Sequence, residues 1–541
     1  MQSGSVAGAG GTKPALRLGI IGCGPRGLAA VEHALASLPR CSIDIFDPSP
    51  WPAAGPNFAL DETACCRLNL RACDVDIPAL ALPEHPSFSD WLCQTTAHAA
   101  EEYPPRHLLG EYLHSRFSAL VASFPMALAH HQQVVTKARR DASGWWLATH
   151  MGEYGPYDEL VLAMGQPVTQ PDITWQRWSA QAVGCGVTLA PAYPGHALQQ
   201  KAARWSGKTV AIRGLGLAAL DVLAILTLGQ GGQFSGGRYI RSGAEPAAIL
   251  PFSLDGMPPL PKPVQALESR FDLTGGEAAL LGDALSRALD LGPDAALAKV
   301  RRALAIPAQR LTGEDPTGWL KVECDTAGAQ DSARSPLAVL RDGIDMAAGR
   351  KPASVGYCIG QIWRKFQPDL RRIFLASDGP AETRAAILGF DRGLKRMTYG
   401  PPLTSARLML ALADDGLVQL SVADDPKIKL TAQGWVLNKH SYAQVMIDAV
   451  LPPPRLDVID DPLIRAFRSD GVLRENKATG GIDVDDAGRA SEGLAVLGRL
   501  TEGRSIAADS IHDCFGVMTR NWARGMVRAA KPDHGSDGPD V

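Results

Sequence analysis

The sequence has no pair of cysteines at the short spacing that redox-active dithiols and zinc ribbons use. Its ten cysteines are scattered over 541 residues, and none of them forms a CxxC motif. This pattern argues against a disulfide reductase and against a disulfide framework, and it favours reduced thiols in a reducing compartment. We interpret the adjacent Cys65 and Cys66 as having no special role.

Charge of one sign, histidine clusters and long apolar runs are also scarce. The formal net charge is −3, and no basic block suggests nucleic acid or an anionic membrane as a partner. His33, His130 and His131 have no ligand partners at metal-binding spacing, so we expect no metal. The most apolar stretch, residues 210–228, is interrupted by two charged residues, which argues against a membrane span.

The two ends of the chain read as loose segments. Residues 1–15 lack a basic region followed by an apolar core, so they do not resemble a signal peptide, and residues 529–541 are polar and rich in glycine and proline. The length predicts two or three domains. We therefore expect a cytoplasmic protein whose partner is a small molecule.

A strand, a glycine turn and a helix form the first nucleotide-binding pattern. Residues 16–23 read as a buried strand, and residues 28–38 have the apolar spacing of a helix face. Between them, Gly22 permits a tight turn, Gly24 lets the backbone approach a pyrophosphate, and Gly27 lets the helix pack closely on the strand. The phosphates would lie at the helix N-terminus.

Two later features extend this pattern. Asp47 follows a second predicted strand, residues 42–46, at the distance of about 20 residues where an acid accepts hydrogen bonds from ribose hydroxyls. Residues 159–165 form another apolar strand that ends in Gly165, after an alternating segment at residues 145–150. A glycine-rich turn without a nucleotide is the alternative interpretation of the pattern.

The second nucleotide-binding pattern follows the predicted strand at residues 208–213. Gly214, Gly216 and Ala219 make up its turn, and residues 217–228 its helix. Alanine at the third position still permits close packing of the helix on the strand.

The element after this helix, residues 237–243, ends in Arg241 and Ser242. An NAD-specific site usually carries an acid there, whereas a guanidinium can bind a 2′-phosphate. The sequence therefore favours NADPH over NADH. The alternative is that Arg241 is a surface residue and that the site takes either cofactor.

The order of the two patterns predicts an α/β fold with two Rossmann-like dinucleotide-binding domains, the second inserted into the first. Strands at residues 443–451 and 493–498 would return the chain, and Gly498 would close the first site. The expected divisions are a loose N-terminus (1–15), the first part of the first domain (16–200), the second domain (201–262), a helical insert (263–415), the returning strands (416–528) and a flexible tail (529–541).

The region between residues 264 and 413 has helical periodicity, which predicts a cap or substrate lobe. Helices are expected at residues 277–291, 294–304, 355–375 and 381–394. The proline-rich segment 241–263 precedes them and carries Ser253, Asp255 and Lys262. It reads either as a loop that contacts nicotinamide and substrate or as a rigid linker.

Five stretches resemble the bacterial FAD/NAD(P)-binding oxidoreductases, which are flavoproteins with two dinucleotide-binding domains. The stretches are IIGCGPRGLAAVEHAL at residues 20–35, IFDPSPWPAAGPNF at 45–58, a Leu-Asn-Leu step at 68–70, PPRHLLGEYL at 104–113 and the glycine-ending strand at 159–165. Their order and spacing carry the resemblance over residues 15–260, and the C-terminal third is similar more loosely.

The resemblance implies roles for several residues. Pro25 and Arg26 would belong to the FAD turn, the segment that ends in Asn69 would cover the flavin, and Arg106 would stand at a structural corner near FAD, with Glu111 and Tyr112 beside it. Relatives often have Ala-Thr-Gly where this chain has Met164 before its glycine, so a polar contribution from that threonine is lost.

The wider relatives include class B flavin monooxygenases and N-hydroxylating enzymes that act on amino acids. The resemblance implies that NADPH reduces FAD, that oxygen adds at flavin C4a, and that the hydroperoxide passes an oxygen atom to a small amine or amino acid. Because the cofactor carries this chemistry, few catalytic side chains are expected. The alternative is a flavin oxidoreductase that passes electrons to another acceptor without inserting oxygen.

The segment after Gly498 supplies the candidates for a catalytic side chain. His512 can act as an acid or base near neutrality, and Arg504 can bind a carboxylated substrate in bidentate fashion. A helix is expected from residue 510 to residue 528, and on it His512 can equally be structural.

Overall fold

The computed structural model describes residues 16–38, 40–95, 97, 98, 101–326 and 328–530, with no account of the side chains at 324 and 528–530. The loose segment expected at residues 1–15 lies outside the described residues. So does the expected tail, apart from residues 529 and 530, which end the last helix.

The strands and helices are numbered here in chain order. The strands are β1 (Leu16–Ile21), β2 (Cys41–Phe46), β3 (Leu128–His131), β4 (Lys137–Asp141), β5 (Gly144–Thr149), β6 (Gly152–Tyr157), β7 (Glu159–Leu162), β8 (Thr188–Pro191), β9 (Thr209–Arg213), β10 (Gln233–Ser235), β11 (Arg238–Ile240), β12 (Ala248–Phe252), β13 (Ile428–Thr431), β14 (Gly434–Leu437), β15 (Ser441–Ala443), β16 (Val445–Asp448), β17 (Arg489–Ser491) and β18 (Leu494–Val496). The helices are α1 (Pro25–Ser37), α2 (Phe88–Thr95), α3 (Arg106–Ser123), α4 (Ile173–Cys185), α5 (Gly195–Ala202), α6 (Leu217–Leu226), α7 (Gln265–Glu268), α8 (Gly275–Ala288), α9 (Pro293–Thr312), α10 (Thr317–Asp325), α11 (Pro336–Ala347), α12 (Val355–Ala376), α13 (Ala381–Gly393), α14 (Lys395–Thr398), α15 (Leu403–Asp414), α16 (Pro462–Ser469), α17 (Ile511–Cys514) and α18 (Val517–Ala530).

The first sheet contains the strands predicted for the first nucleotide fold. Its order is β17-β18-β7-β1-β2-β3, and β18, β7, β1, β2 and β3 run parallel. Strand β1 lies at its centre because its apolar residues are buried on both faces, as a parallel strand between layers of helices requires. The predicted return of the chain to this sheet is confirmed for β18, which pairs with β7.

The second sheet has the order β12-β9-β16-β8, with parallel pairs throughout. This membership corrects two of the expected boundaries. Strand β8, at residues 188–191, belongs to the second domain and not to the first. Strand β16 lies within the predicted strand 443–451, but it pairs with β9 and β8, so the chain returns to the first sheet only after it.

The helical insert shares its core with the second domain. The helices expected from periodicity correspond to α8, α9, α12 and α13. Their buried side chains form one continuous apolar cluster with those of α6 and β9, whereas the first sheet has a separate cluster of its own. The insert is therefore one wall of the second domain, and it faces the first domain across a cavity.

The end of the chain differs from the single helix expected at residues 510–528. It forms two helices, α17 and α18, separated at Phe515 and Gly516. Helix α18 packs on α1 behind the first glycine turn. Among the described residues, no helix is both long and apolar enough to cross a membrane.

Candidate functional site

The first glycine turn joins β1 to α1 and has the backbone geometry that its glycines predict. Gly22 has a φ of 92°, a conformation that side chains with a Cβ rarely adopt. A Cβ on Gly27 would stand 2.3 Å from the Gly22 carbonyl oxygen. Pro25 occupies the first turn of α1, whose N-terminus has no side-chain cap. The turn therefore leaves backbone amides free for a phosphate.

The carboxylate of Asp47 lies at the end of β2, next to this turn. It accepts hydrogen bonds from the backbone amides of Cys23, at 2.5 Å, and Ser49, at 2.8 Å. These bonds fix the turn, and a carboxylate has further lone pairs that can accept from ribose hydroxyls. The ribose contact stays a prediction.

Arg26 serves a structural purpose in this arrangement. Its guanidinium donates to the carboxylate of Asp513, at 2.6 Å, and to the carbonyl oxygens of Asp513 and Ala508. Gly498, with a φ of 99°, lies against the same guanidinium. Arg26 thus ties α1 to the C-terminal segment, and its donors are engaged within the protein.

The segment after β2 folds over the first glycine turn. The backbone amide of Ala53 donates to the Cys23 carbonyl oxygen, and the Cα atom of Gly55 packs against Gly24. On the other side, the end of β7 approaches Gly22 so closely that a Cβ there would lie 2.7 Å from the Ala163 carbonyl oxygen. Gly165, with a φ of 67°, follows and leaves open space beside its Cα.

The second glycine turn joins β9 to α6. Gly214 has a φ of 123°, and Ala219 is buried against the sheet, as close packing requires. A Cβ on Gly216 would meet no atom within 4 Å, so the space in front of the α6 N-terminus is open. That N-terminus also has no side-chain cap. Its amides are available to a phosphate.

The position of Arg241 and Ser242 corrects the prediction that they read a 2′-phosphate. Strand β11 pairs with β10 in a separate hairpin, so the strand beside β9 is β12. The residues that follow β11 lie at the amino end of β9. There the backbone amide of Gly207 donates a hydrogen bond to the carbonyl oxygen of Glu245. The glycine turn is at the carboxyl end, roughly 15 Å away along a strand of this length.

The side chains of Arg241 and Ser242 also form hydrogen bonds with neighbouring residues. Arg241 donates to the Asp415 carboxylate at 2.6 Å, and the Ser242 hydroxyl donates to the Gln230 carbonyl oxygen at 2.7 Å. The carboxyl end of β12 instead presents Ser253 and Asp255, which line the cavity described next.

A cavity of about 1250 Å³ separates the first domain from the second domain and the insert. The second glycine turn opens onto it through Gly216, and the first domain reaches it through Asn69 and Arg106. Eleven of its lining residues are lysine or arginine and nine are aspartate or glutamate, although the whole chain carries a net negative charge. The first glycine turn does not line this cavity.

Arg106 bridges the two domains at the cavity wall. Its guanidinium donates to the carboxylate of Asp221 on α6, at 2.8 Å, and the Tyr193 hydroxyl donates to the same carboxylate at 2.5 Å. Burial, and then the charge of Asp221, raise the pKa of Tyr193. This cluster was not predicted, although a charged residue inside the apolar stretch 210–228 indicates a polar partner for it.

The two candidate catalytic residues have different environments. His512 lines the cavity on α17, and its Nε2 lies 2.5 Å from the Asp74 carbonyl oxygen. Arg504 does not line the cavity. Its guanidinium binds the exposed Asp378 carboxylate at 2.6 Å and the Ser377 carbonyl oxygen, and its role in substrate binding stays a prediction.

Residues 19–167 match the family model described as FAD-NAD(P)-binding. Two similar sequences are the nitrosuccinic acid synthase of Aspergillus oryzae and an L-aspartate N-monooxygenase (nitrosuccinate-forming) of Streptomyces davaonensis. The first is 29% identical over 250 residues, which cover 42% of this chain and 38% of that protein. The second is 29% identical over 272 residues, which cover 42% of each. The match thus spans less than half of these relatives.

Solved structures of ornithine hydroxylases have a similar fold at low sequence identity. The reduced enzyme of Pseudomonas aeruginosa aligns with a TM-score of 0.52 at 12% identity, over 96% of this chain and 100% of that one. The ornithine N-hydroxylase of Kutzneria sp. 744 aligns with a TM-score of 0.50 at 11% identity, over 95% and 99%. Residues 19–167 therefore match an FAD-NAD(P)-binding family, within a chain that has the fold of these ornithine hydroxylases.

Proposed function

We propose that this protein is an FAD- and NADPH-dependent monooxygenase that N-hydroxylates a small amino acid, and that L-aspartate is its substrate. The observation that carries the proposal is the pair of glycine turns. Each lies at the carboxyl end of a parallel sheet, as in other dinucleotide folds, and the domains that bear them meet at one large cavity. Such an arrangement suits hydride transfer between two cofactors.

The residues of the first turn fit FAD. Gly22, Gly24 and Gly27 leave no side chain between the backbone and a pyrophosphate, and the segment that packs on Gly24 through Gly55 would keep water from it. Bound FAD would supply hydride acceptance and oxygen activation, and the protein would bind, orient and shield it.

The second turn fits the pyrophosphate of NADPH. The open space at Gly216 and the uncapped N-terminus of α6 provide backbone donors for it. The Kutzneria ornithine N-hydroxylase was solved with reduced FAD, NADP⁺ and L-ornithine, which supports the same cofactor pair here. With Arg241 at the far end of the sheet, the preference for NADPH rests on this comparison.

The choice of L-aspartate rests on the relatives and on the charge of the cavity. Both relatives described above are named for nitrosuccinate formation, one of them explicitly from L-aspartate. The excess of cationic residues around the cavity suits a dicarboxylic amino acid. The two compared enzymes with this fold act on ornithine, another small amino acid. We place the protein in the cytoplasm, where both pyridine nucleotide and amino acid are available.

The reaction balances with oxygen as the second substrate. The amine, O₂, NADPH and one proton would give the hydroxylamine, water and NADP⁺, so that a nitrogen–oxygen bond forms as the oxygen–oxygen bond breaks. The alternative of electron transfer to another acceptor is not favoured, because the named relatives insert oxygen.

The test is whether L-aspartate is oxygenated. With purified yellow protein, L-aspartate should accelerate NADPH oxidation, and mass spectrometry after reaction under ¹⁸O₂ should find one labelled oxygen atom on the amino acid nitrogen. L-Ornithine and succinate serve as controls that differ in charge and in the presence of the amine. Recovery of all consumed oxygen as hydrogen peroxide, with every amino acid unchanged, would contradict the proposal and favour the electron-transfer alternative.

A further inference from the structure

Lys262 is a buried cation on the wall of the cavity. Its side chain lies on the segment that follows β12, is 7% exposed, and donates to the carbonyl oxygen of Asn69 across the cavity wall. Three of the eleven cavity cations, namely Lys262, Arg371 and Lys395, have no carboxylate within 4 Å among the described residues, and Lys262 is the buried one of the three.

The carboxylates nearest to Lys262 form ion pairs with other cations. Asp74 is bound by Arg71 in bidentate fashion, at 2.7 and 2.9 Å. Glu268 on α7 is bound by Arg364, at 2.6 Å, and also by Lys365. The group around Lys262 therefore contains more cationic than anionic side chains.

Two further carboxylates nearby, those of Asp272 and Glu102, are exposed, and Lys365 binds the first of them at 2.8 Å. The Tyr357 hydroxyl on α12 donates to the carbonyl oxygen of Pro261, and His512 on α17 contacts the backbone carbonyl oxygen of Asp74. Nη1 of Arg71 is buried and has no hydrogen-bond partner within the described part of the chain. The cluster thus has unused donors and an unbalanced positive charge, which a bound anion would satisfy.

A buried ammonium without a counter-ion is costly. Burial, and then the neighbouring guanidinium of Arg364, lower the pKa of Lys262 to about 7. Burial therefore disfavours the charged form of this amine. An anion beside it would favour the charged form and would raise this pKa again.

We propose that Lys262 binds a carboxylate of the substrate, and that Lys262 takes up a proton when the carboxylate enters. This inference rests on the proposed function for the identity of the substrate, an amino acid with a second carboxylate. It assigns the recognition of that acid to the segment between the second domain and the insert. The alternative role for Lys262 is a structural one, in which its bond to Asn69 holds the cavity wall together.

The two roles differ in their linkage to protons. Succinate is the probe, because it carries two carboxylates and no amine whose own titration would disturb the count. Because burial lowers the pKa of Lys262 in the free protein, succinate binding at about pH 8.5 should take up protons, up to one per succinate. Calorimetric titration of the FAD-loaded protein in Tris and in EPPS, buffers of different ionisation enthalpy, measures this number.

Substitutions of Lys262 distinguish the contribution of its positive charge to binding from its uptake of a proton. Lys262→Met should weaken succinate and L-aspartate binding by about 10- to 100-fold, the range for a charge-assisted bond, and should abolish the uptake. It should raise the KM for L-aspartate and leave kcat within about threefold, since binding alone is affected. Lys262→Arg should retain much of the binding without proton uptake, because its guanidinium is already charged at this pH.

Lys429→Met is the control. Lys429 on β13 is exposed, has no carboxylate partner within the described residues and does not line the cavity, so its loss should leave succinate affinity and proton uptake unchanged. Succinate binding without proton uptake in the wild-type protein would overturn the proposal, even if Lys262→Met failed to fold. Equal affinities of wild type and Lys262→Met would also overturn it.

The result is independent of oxygen insertion. Proton-linked succinate binding in a protein that does not oxygenate L-aspartate would support the carboxylate site and reject the proposed function. Oxygenation of L-aspartate with an unchanged KM in Lys262→Met would support the proposed function and reject the carboxylate site.

Discussion

Single glycines decide how closely the backbone elements of the first nucleotide site approach one another. Gly27 faces the Gly22 carbonyl oxygen at a distance that excludes a Cβ, whereas Gly184 on α4 has no atom within 4 Å of the place a Cβ would take. Glycine is thus required at the first position because α1 approaches the turn that precedes it so closely. At the second, it only lowers helix propensity.

Gly27→Ala tests this difference. The methyl group must displace either the turn or helix α1, so we expect a loss of roughly 1–3 kcal/mol in the free energy of unfolding and a lower FAD content. Gly184→Ala should gain up to about 1 kcal/mol and keep the cofactor. Thermal unfolding and the ratio of flavin to protein absorbance measure both effects. An unchanged flavin content in Gly27→Ala would show that this contact does not shape the site.

At the scale of elements, the strand that borders β9 decides which residues reach the second nucleotide. The hairpin of β10 and β11 turns through Gly236 and Gly237, both at positive φ, and its strands are largely exposed. The sequence AILPF of β12 is a nearly continuous apolar run, and it occupies the buried place beside β9 instead. Chain order alone suggests that β11 borders β9, and for this reason the residues after β11 were assigned to the second nucleotide site.

Arg241→Ala checks this placement. Because Arg241 makes an exposed ion pair with Asp415 far from the glycine turn, its loss should change the KM for NADPH and NADH by less than about twofold and stability by less than about 1 kcal/mol. Gly216→Ala is the comparison variant. Its methyl group enters the open space before α6, so it should raise the KM for NADPH without lowering the melting temperature. A selective rise for NADPH in Arg241→Ala would restore the original assignment.

At the scale of the whole molecule, the ion pair between Arg106 and Asp221 connects the first domain to the second. Both side chains are 12% exposed, and the shared contact with Tyr193 makes the pair a small network. Removing one partner of such a pair leaves a poorly solvated charge. The pair therefore holds the cavity walls in register.

A double-mutant cycle measures this connection. Arg106→Met and Asp221→Leu should each lower the free energy of unfolding by about 2 kcal/mol, and their coupling energy should exceed about 1 kcal/mol. The exposed pair of Arg341 and Asp414 is the control, for which the coupling should stay below about 0.5 kcal/mol. Equal coupling in the two cycles would show that the domains are held together elsewhere.

The sequence by itself determined the elements of this protein and the two glycine turns. Strands β1, β2, β7 and β9 and helices α1 and α6 were predictable, because apolar periodicity and glycine placement are local and a turn of this kind needs only a few consecutive residues. The helices of the insert followed from the same periodicity.

Only the tertiary structure decided which distant residues share a site. In the tertiary structure, Arg241 lies at the amino end of the second sheet, away from the glycine turn, and Arg504 lies outside the cavity lining. Arg106 forms an ion pair with Asp221. Lys262 is buried near other cations. These outcomes depend on how segments far apart in the chain pack together. Side-chain identity alone does not specify burial or partners, and burial and partners set the charge, the hydrogen bonds and hence the chemistry of the cavity.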